Sequence, residues 1–193
     1  MLRSLVITSI LCLPVLTSAT ASACPMKQSP RLVANIYKKA QKAERKKQHL
    51  KALRLYQRVM HTDRRSSRQF KAAMRASRVA KRLKRFRVME RLIRFAIKRR
   101  PKSARAHTAL GFALLSKDPG AAIQSLVRAS ELGVKNPGDV LAAMAEGFAR
   151  QGKGAMASRT LAKAIKSRAS EERVRSARAA MSASVSTQTM VKN

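Results

Sequence analysis

The sequence predicts an all-α solenoid of three to four helical hairpins, on three observations. Apolar residues fall at i, i+3, i+4 and i+7, the spacing of one helical face. The stripes recur about every 34 residues, which marks a repeated unit rather than a single bundle. Pro101, Pro119-Gly120, Pro137 and Gly152 fall between stripes, where a chain built of hairpins must reverse. Composition agrees. Aromatics make up 4% of 193 residues and Trp is absent, too few for an all-β core, while a hydrophobic content of 45% excludes simple disorder.

Residues 1–23 read as a secretory signal peptide outside this repeat. Arg3 is the positive start, Leu5 to Leu16 is the apolar run, and Ala19-Thr20-Ala21 and Ala21-Ser22-Ala23 are both small-x-small cleavage sequences. The run is too short to span a bilayer. Cleavage would remove Cys12 and leave Cys24 without an internal disulfide partner. Ala21-Ser22-Ala23-Cys24 resembles a bacterial lipoprotein box, so Cys24 is a candidate lipidation site. Ala21 stands where such boxes usually carry Leu, so a plain soluble exported protein is expected, with lipidation the alternative. Residues 24–32 are a linker.

The repeat domain is expected over 33–170. Its first unit pairs Val33, Ile36, Tyr37 and Ala40 with Ala52, Tyr56 and Val59, although Lys38, Lys39 and Arg45-Lys46-Lys47 interrupt the apolar face. The second pairs Ala73, Ala76, Ser77 and Ala80 with Met89, Ile93 and Ala96, and Lys84-Arg85-Phe86-Arg87 stands at its bend. The third pairs His107, Leu110, Gly111 and Leu114 with Ala122, Leu126 and Ala129. The fourth pairs Leu141, Met144, Ala145 and Phe148 with Ala157, Leu161 and Ala164. The third member of the last three leading stripes is small (Ser77, Gly111, Ala145), as two closely approaching helices require. A terminal hairpin needs a polar cover. Ser170-Glu171-Glu172 places a cap and two acids at a helix start, so 171–182 is read as a capping helix. Residues 183–193, rich in Ser and Thr and without periodicity, are read as a disordered tail.

These residues resemble the tetratricopeptide repeat (TPR) family. The best match is the fourth unit, in Met144-Ala145, Phe148, Gln151-Gly152, Ala157, Leu161 and Ala164. The third matches in Leu110-Gly111, Leu114, Ala122 and Ala129. No unit carries the family's common Trp, and the second lacks a turn Gly. The resemblance implies a right-handed solenoid of helix-turn-helix repeats that binds a protein segment in a groove lined by each unit's first helix.

Charge narrows the partner. The chain carries 43 Lys plus Arg against 9 Asp plus Glu, a net of +34, and the excess is uneven. Residues 27–105 hold 29 cations and 3 acids, whereas 106–193 hold 13 cations and 6 acids. One end therefore faces an acidic protein or a polyanion. No catalytic or metal constellation is visible. His49, His61 and His107 have no Cys, Asp or second His at ligand spacing, and His107 sits on an apolar stripe as a packing residue. Glu171 and Glu172 are adjacent and point apart. No enzyme activity and no cofactor is expected.

Carried onto this chain, the family's groove positions in the second unit are Lys71, Met74, Arg78, Lys81 and Arg82. In the third they are Arg105, Thr108 and Phe112, and in the fourth Asp139, Glu146 and Arg150. The groove should be strongly positive at the second unit and near neutral by the fourth. The expected function is an exported, periplasmic or outer-membrane-associated interaction module whose basic groove takes an acidic protein or peptide. The alternative is an envelope protein that binds a polyanion: anionic lipid, lipopolysaccharide or nucleic acid. Lipidation of Cys24 would add peripheral membrane association.

Overall fold

The computed structural model describes residues 29–63 and 65–192, and over them the chain forms nine α-helices and no strand. They are α1 (Pro30–Arg45), α2 (His49–Thr62), α3 (Ser66–Arg82), α4 (Phe86–Arg99), α5 (Ala104–Leu114), α6 (Pro119–Glu131), α7 (Pro137–Arg150), α8 (Gly154–Lys166) and α9 (Glu171–Lys192). Consecutive helices pack into four hairpins that stack in chain order, and α9 packs on α7. This is the all-α repeat solenoid expected from the sequence. The expected signal peptide, Cys24 and the start of the linker lie outside the described residues.

Local chemistry sets the helix starts. Ser29, Ser103 and Asp118 accept hydrogen bonds from the backbone N–H groups of Leu32, Ala106 and Ala121, and Pro30, Pro119 and Pro137 open their helices where no N–H is needed. Three of the four reversals within hairpins use left-handed backbone. Gly152 supplies it between α7 and α8 at φ 74°, but Lys47 and Lys84 supply it in the first two hairpins at φ 59° and 56°.

The stripes of the first three units are the core. Val33, Ile36, Ala40, Ala73, Ala76, Ser77, Ala80, Leu110, Gly111 and Leu114 are buried, as are their second-helix partners Ala52, Tyr56, Val59, Ile93, Ala96, Ala122, Leu126 and Ala129. Gly111 is small because its hairpin partner is near: a Cβ there would stand 2.5 Å from Leu126 Cγ. A carboxylate ties the first two units together. The buried Tyr56 donates its hydroxyl hydrogen to Glu44 Oε2 at 2.6 Å, and Arg75 Nη1 reaches the same oxygen at 3.3 Å. Burial, then the neighbouring Glu44, holds the Tyr56 hydroxyl well above the ordinary tyrosine range.

Several expectations need correction. In α7, Leu141, Met144 and Phe148 are only half-buried, while Val140, Ala142, Ala143, Ala145, Gly147 and Ala149 are enclosed. The helix is covered on two sides. Val140 and Ala143 join the core of the first three units, and Ala142 and Ala145 join a second core with Leu161, Ala164 and Ala177. The bend of the second unit is Leu83 to Arg85, and Phe86 and Arg87 already belong to α4. His107 is half-buried, with Nε2 2.9 Å from the Pro101 carbonyl oxygen, so it braces the link before α5. The first helix begins at Pro30, within the expected linker. The last continues past 182 to Lys192, through residues read from sequence as a disordered tail.

Candidate functional site: a cationic groove across the first helices

A groove of about 610 Å³ runs between α3, α5, the link before α7 and the start of α7. Met74, Ala109, Phe112, Val134 and Val140 give it an apolar floor, and Arg78, Arg105 and Lys135 bring cations to it. The helical register explains the composition. Small residues at 73, 76 and 77 face the neighbouring helix, and positions 74 and 78, one turn apart, share the side of α3 that meets the groove, with Met74 buried and Arg78 exposed.

None of Arg78, Arg105 and Lys135 forms an ion pair among the described residues. The acid of the groove, Asp139, is already engaged. The Ser170 backbone N–H donates to its Oδ1 at 2.8 Å. That hydrogen bond, with further help from the Ser170 hydroxyl, Asn136 and Arg173 against opposing burial, holds the Asp139 carboxyl below its usual range. The groove therefore presents uncompensated positive charge beside an apolar surface.

Of the groove positions expected from sequence, Met74, Arg78, Arg105, Thr108, Phe112 and Asp139 line this one cavity. Lys71, Lys81 and Arg82 are exposed but do not line it. Glu146 and Arg150 are diverted. Glu146 is 5% exposed and accepts from Arg150 Nη2 at 2.9 Å and from Ser176 Oγ of α9 at 3.0 Å. Glu146 thus holds α9 on α7, and Arg150 is engaged by Glu146 within α7.

Sequence reasoning missed two contributors. Val134, Lys135 and Asn136 come from the aperiodic link after Gly133. Arg173, read as part of a solvating cap, stacks on Phe112 with its guanidinium carbon 4.0 Å from the ring centroid. A second cleft of about 420 Å³ lies against α4, α5 and α6, but its arginines are committed, Arg94 to Glu90 and Arg128 to Glu131.

No protein-family model matches the chain, and no curated protein matches it by sequence. Solved structures do resemble it. A crystal structure of MamA protein aligns with a TM-score of 0.64 and 18% identity over 80% of this chain and 87% of that one. MamA from Desulfovibrio magneticus RS-1, from residue 41 to its end, aligns with a TM-score of 0.61 and 15% identity over 70% of this chain and 75% of that one. A double mutant of MamA RS-1 gives the same values. At such identities the likeness is one of fold, and that fold is the TPR-like helical solenoid.

Proposed function

We propose that this chain is a non-enzymatic protein-interaction module whose groove takes an extended, acidic segment of a partner protein. The observation that carries the reading is the pairing, in one cavity, of the unpaired Arg78 and Arg105 with the apolar floor around Met74 and Phe112. Carboxylates would meet the two guanidiniums, which can bind them bidentately, and an apolar side chain of the same segment would rest on the floor beside Ala109 and Val134. Export by the leader at 1–23 belongs to the same reading, with the mature chain at the bacterial envelope and Cys24 as its candidate lipid anchor. Sequencing the N-terminus of the fractionated product tests that part: an intact Met1 on a cytosolic product removes it.

The groove is tested with a fluorescent peptide that alternates Glu with Leu. Reversing Arg78 and Arg105 to Glu should weaken binding by more than about tenfold, since each removes one charge-assisted contact and adds a repulsion. Extending the reversal to Lys81 and Arg82 asks whether cations outside the cavity contribute. Reversing Arg159, Lys163 and Lys166 on α8 should change binding by less than about twofold. Equal losses from both sets would mean that net charge, rather than the groove, does the binding.

A further inference from the structure

A second concentration of unpaired charge lies outside the groove, on the edge where the turns within hairpins emerge. In the first hairpin Lys42, Lys46, Lys47 and Lys51 surround the reversal, and in the second Lys84, Arg85 and Arg87 do. All seven are exposed, and none forms an ion pair among the described residues. The nearest acid in the first unit, Glu44, is turned inward to Tyr56 and Arg75. The strip ends at Glu90, which accepts from Arg94 and from Lys117 of the next hairpin's turn.

Two further features set this edge apart from a solvated basic face. Its tips are Lys47 and Lys84, held, like Arg168 between α8 and α9, in left-handed backbone that costs a β-carbon-bearing residue roughly 1 kcal/mol and that Gly152 fills in the fourth hairpin. The edge also carries exposed apolar side chains: Leu50 is 48% exposed at the start of α2 and Phe86 is 58% exposed at the start of α4. Between α1 and α2 the same edge opens a cleft of about 440 Å³, with Lys39, Lys42, Lys46 and Lys51 around Ala43 and Leu55.

We infer that this edge docks on an anionic lipid surface. Lysines and arginines near such a surface each contribute about 1 kcal/mol, and their stems cover apolar ground while their heads reach phosphates. Leu50 and Phe86 enter the boundary between headgroups and acyl chains, and the lysine-rimmed cleft receives a headgroup phosphate. The attachment is peripheral: no helix among the described residues is long and apolar enough to cross a membrane. The inference is independent of the groove, since Arg78 and Arg105 take no part in it.

The chain has no Trp, so Phe86→Trp places a single indole at the proposed contact. Unlipidated chain is mixed with vesicles of phosphatidylcholine alone or with phosphatidylglycerol added. Binding, a blue shift and quenching by brominated acyl chains are expected with phosphatidylglycerol only. Reversing Lys46, Lys47, Lys84 and Arg85 to Glu should lower vesicle affinity by more than about a hundredfold. These side chains are exposed, and unchanged circular dichroism would verify the fold. The same reversal should leave the acidic peptide's binding in place. No blue shift or no quenching overturns the inference, as does an equal loss on reversing Arg159, Lys163 and Lys166. An indole that responds to single-stranded oligonucleotide but not to vesicles would assign the edge to nucleic acid and overturn it too.

Discussion

Arg173 lies over Phe112 with its guanidinium carbon 4.0 Å from the ring centroid, although the two residues belong to α9 and α5. The sequence period accounts for the meeting. Lys71, Arg105, Asp139 and Arg173 are each 34 residues apart, so Arg173 holds the leading groove position of a fifth first helix. Helix α9 is half a repeat, seated on α7 by the hydrogen bond of Ser176 to Glu146.

That contact should be measurable by itself. A double-mutant cycle with Arg173→Ala and Phe112→Leu, read by denaturant unfolding, is expected to give a coupling of about 1 kcal/mol, the range for a half-buried cation over an aromatic face. Additive effects would mean that α9 does not hold Arg173 against the ring in solution.

Lys47 and Lys84 occupy left-handed positions that glycine adopts without a β-carbon clash. Lys84→Gly should therefore raise stability by about 1 kcal/mol, with Lys47→Gly similar, less a part of the gain lost to the freer unfolded chain. Gly152→Ala should move the opposite way. If the edge docks on lipid, the two stabilising changes should also weaken vesicle binding. That combination would account for lysine at a strained site.

What could be read from sequence, and what could not, follows the same physics. The stripes were legible because small residues recur where helices meet, as at Ser77 and Gly111. Arg78 and Arg105 were legible because the period carries one helical face from unit to unit. Val134 to Asn136 were not, since a link has no period to extrapolate. In α7 the stripe misjudged burial, because a stripe assumes one covered side and α9 covers a second. The tail past 182 looked disordered from its Ser content. In the structure Ser182, Ser184 and Ser186 donate their hydroxyls to the carbonyls of Ala179, Met181 and Ser182, so these polar residues are accommodated within the helix.

Two glycines should respond differently to the same added methyl. A Cβ on Gly138 would stand 2.5 Å from Ala169 N and 2.6 Å from the Ser167 carbonyl oxygen, both backbone atoms at the joint between α8 and α9. A Cβ on Gly111 would stand 2.5 Å from Cγ of the fully buried Leu126, a side chain rather than backbone, and 3.2 Å from the Ala122 carbonyl oxygen. Gly138→Ala should cost about 3 kcal/mol and loosen α9, whereas Gly111→Ala should cost about 1 kcal/mol after the gain in helix propensity. Thermal unfolding compares them, and a larger loss at Gly111 would contradict this joint.

Acid should act on that joint through Asp139. Its folded carboxyl lies below the ordinary value of 3.8, chiefly because the Ser170 backbone N–H donates to it. The folded state thus binds fewer protons there than the unfolded chain does. The stabilisation is present above the unfolded value and is lost as pH falls through the folded one. Wild-type Tm should accordingly drop as pH goes below about 4. Asp139→Asn should be less stable at neutral pH, lose less on acidification, and converge with wild type in strong acid. Glu90 contributes to the same limb, since Arg94 and Lys117 outweigh the burial that would raise it, so Glu90→Gln serves as the companion variant. A gap between wild type and Asp139→Asn that stays constant across this range would show that the Asp139 charge does not hold the start of α9.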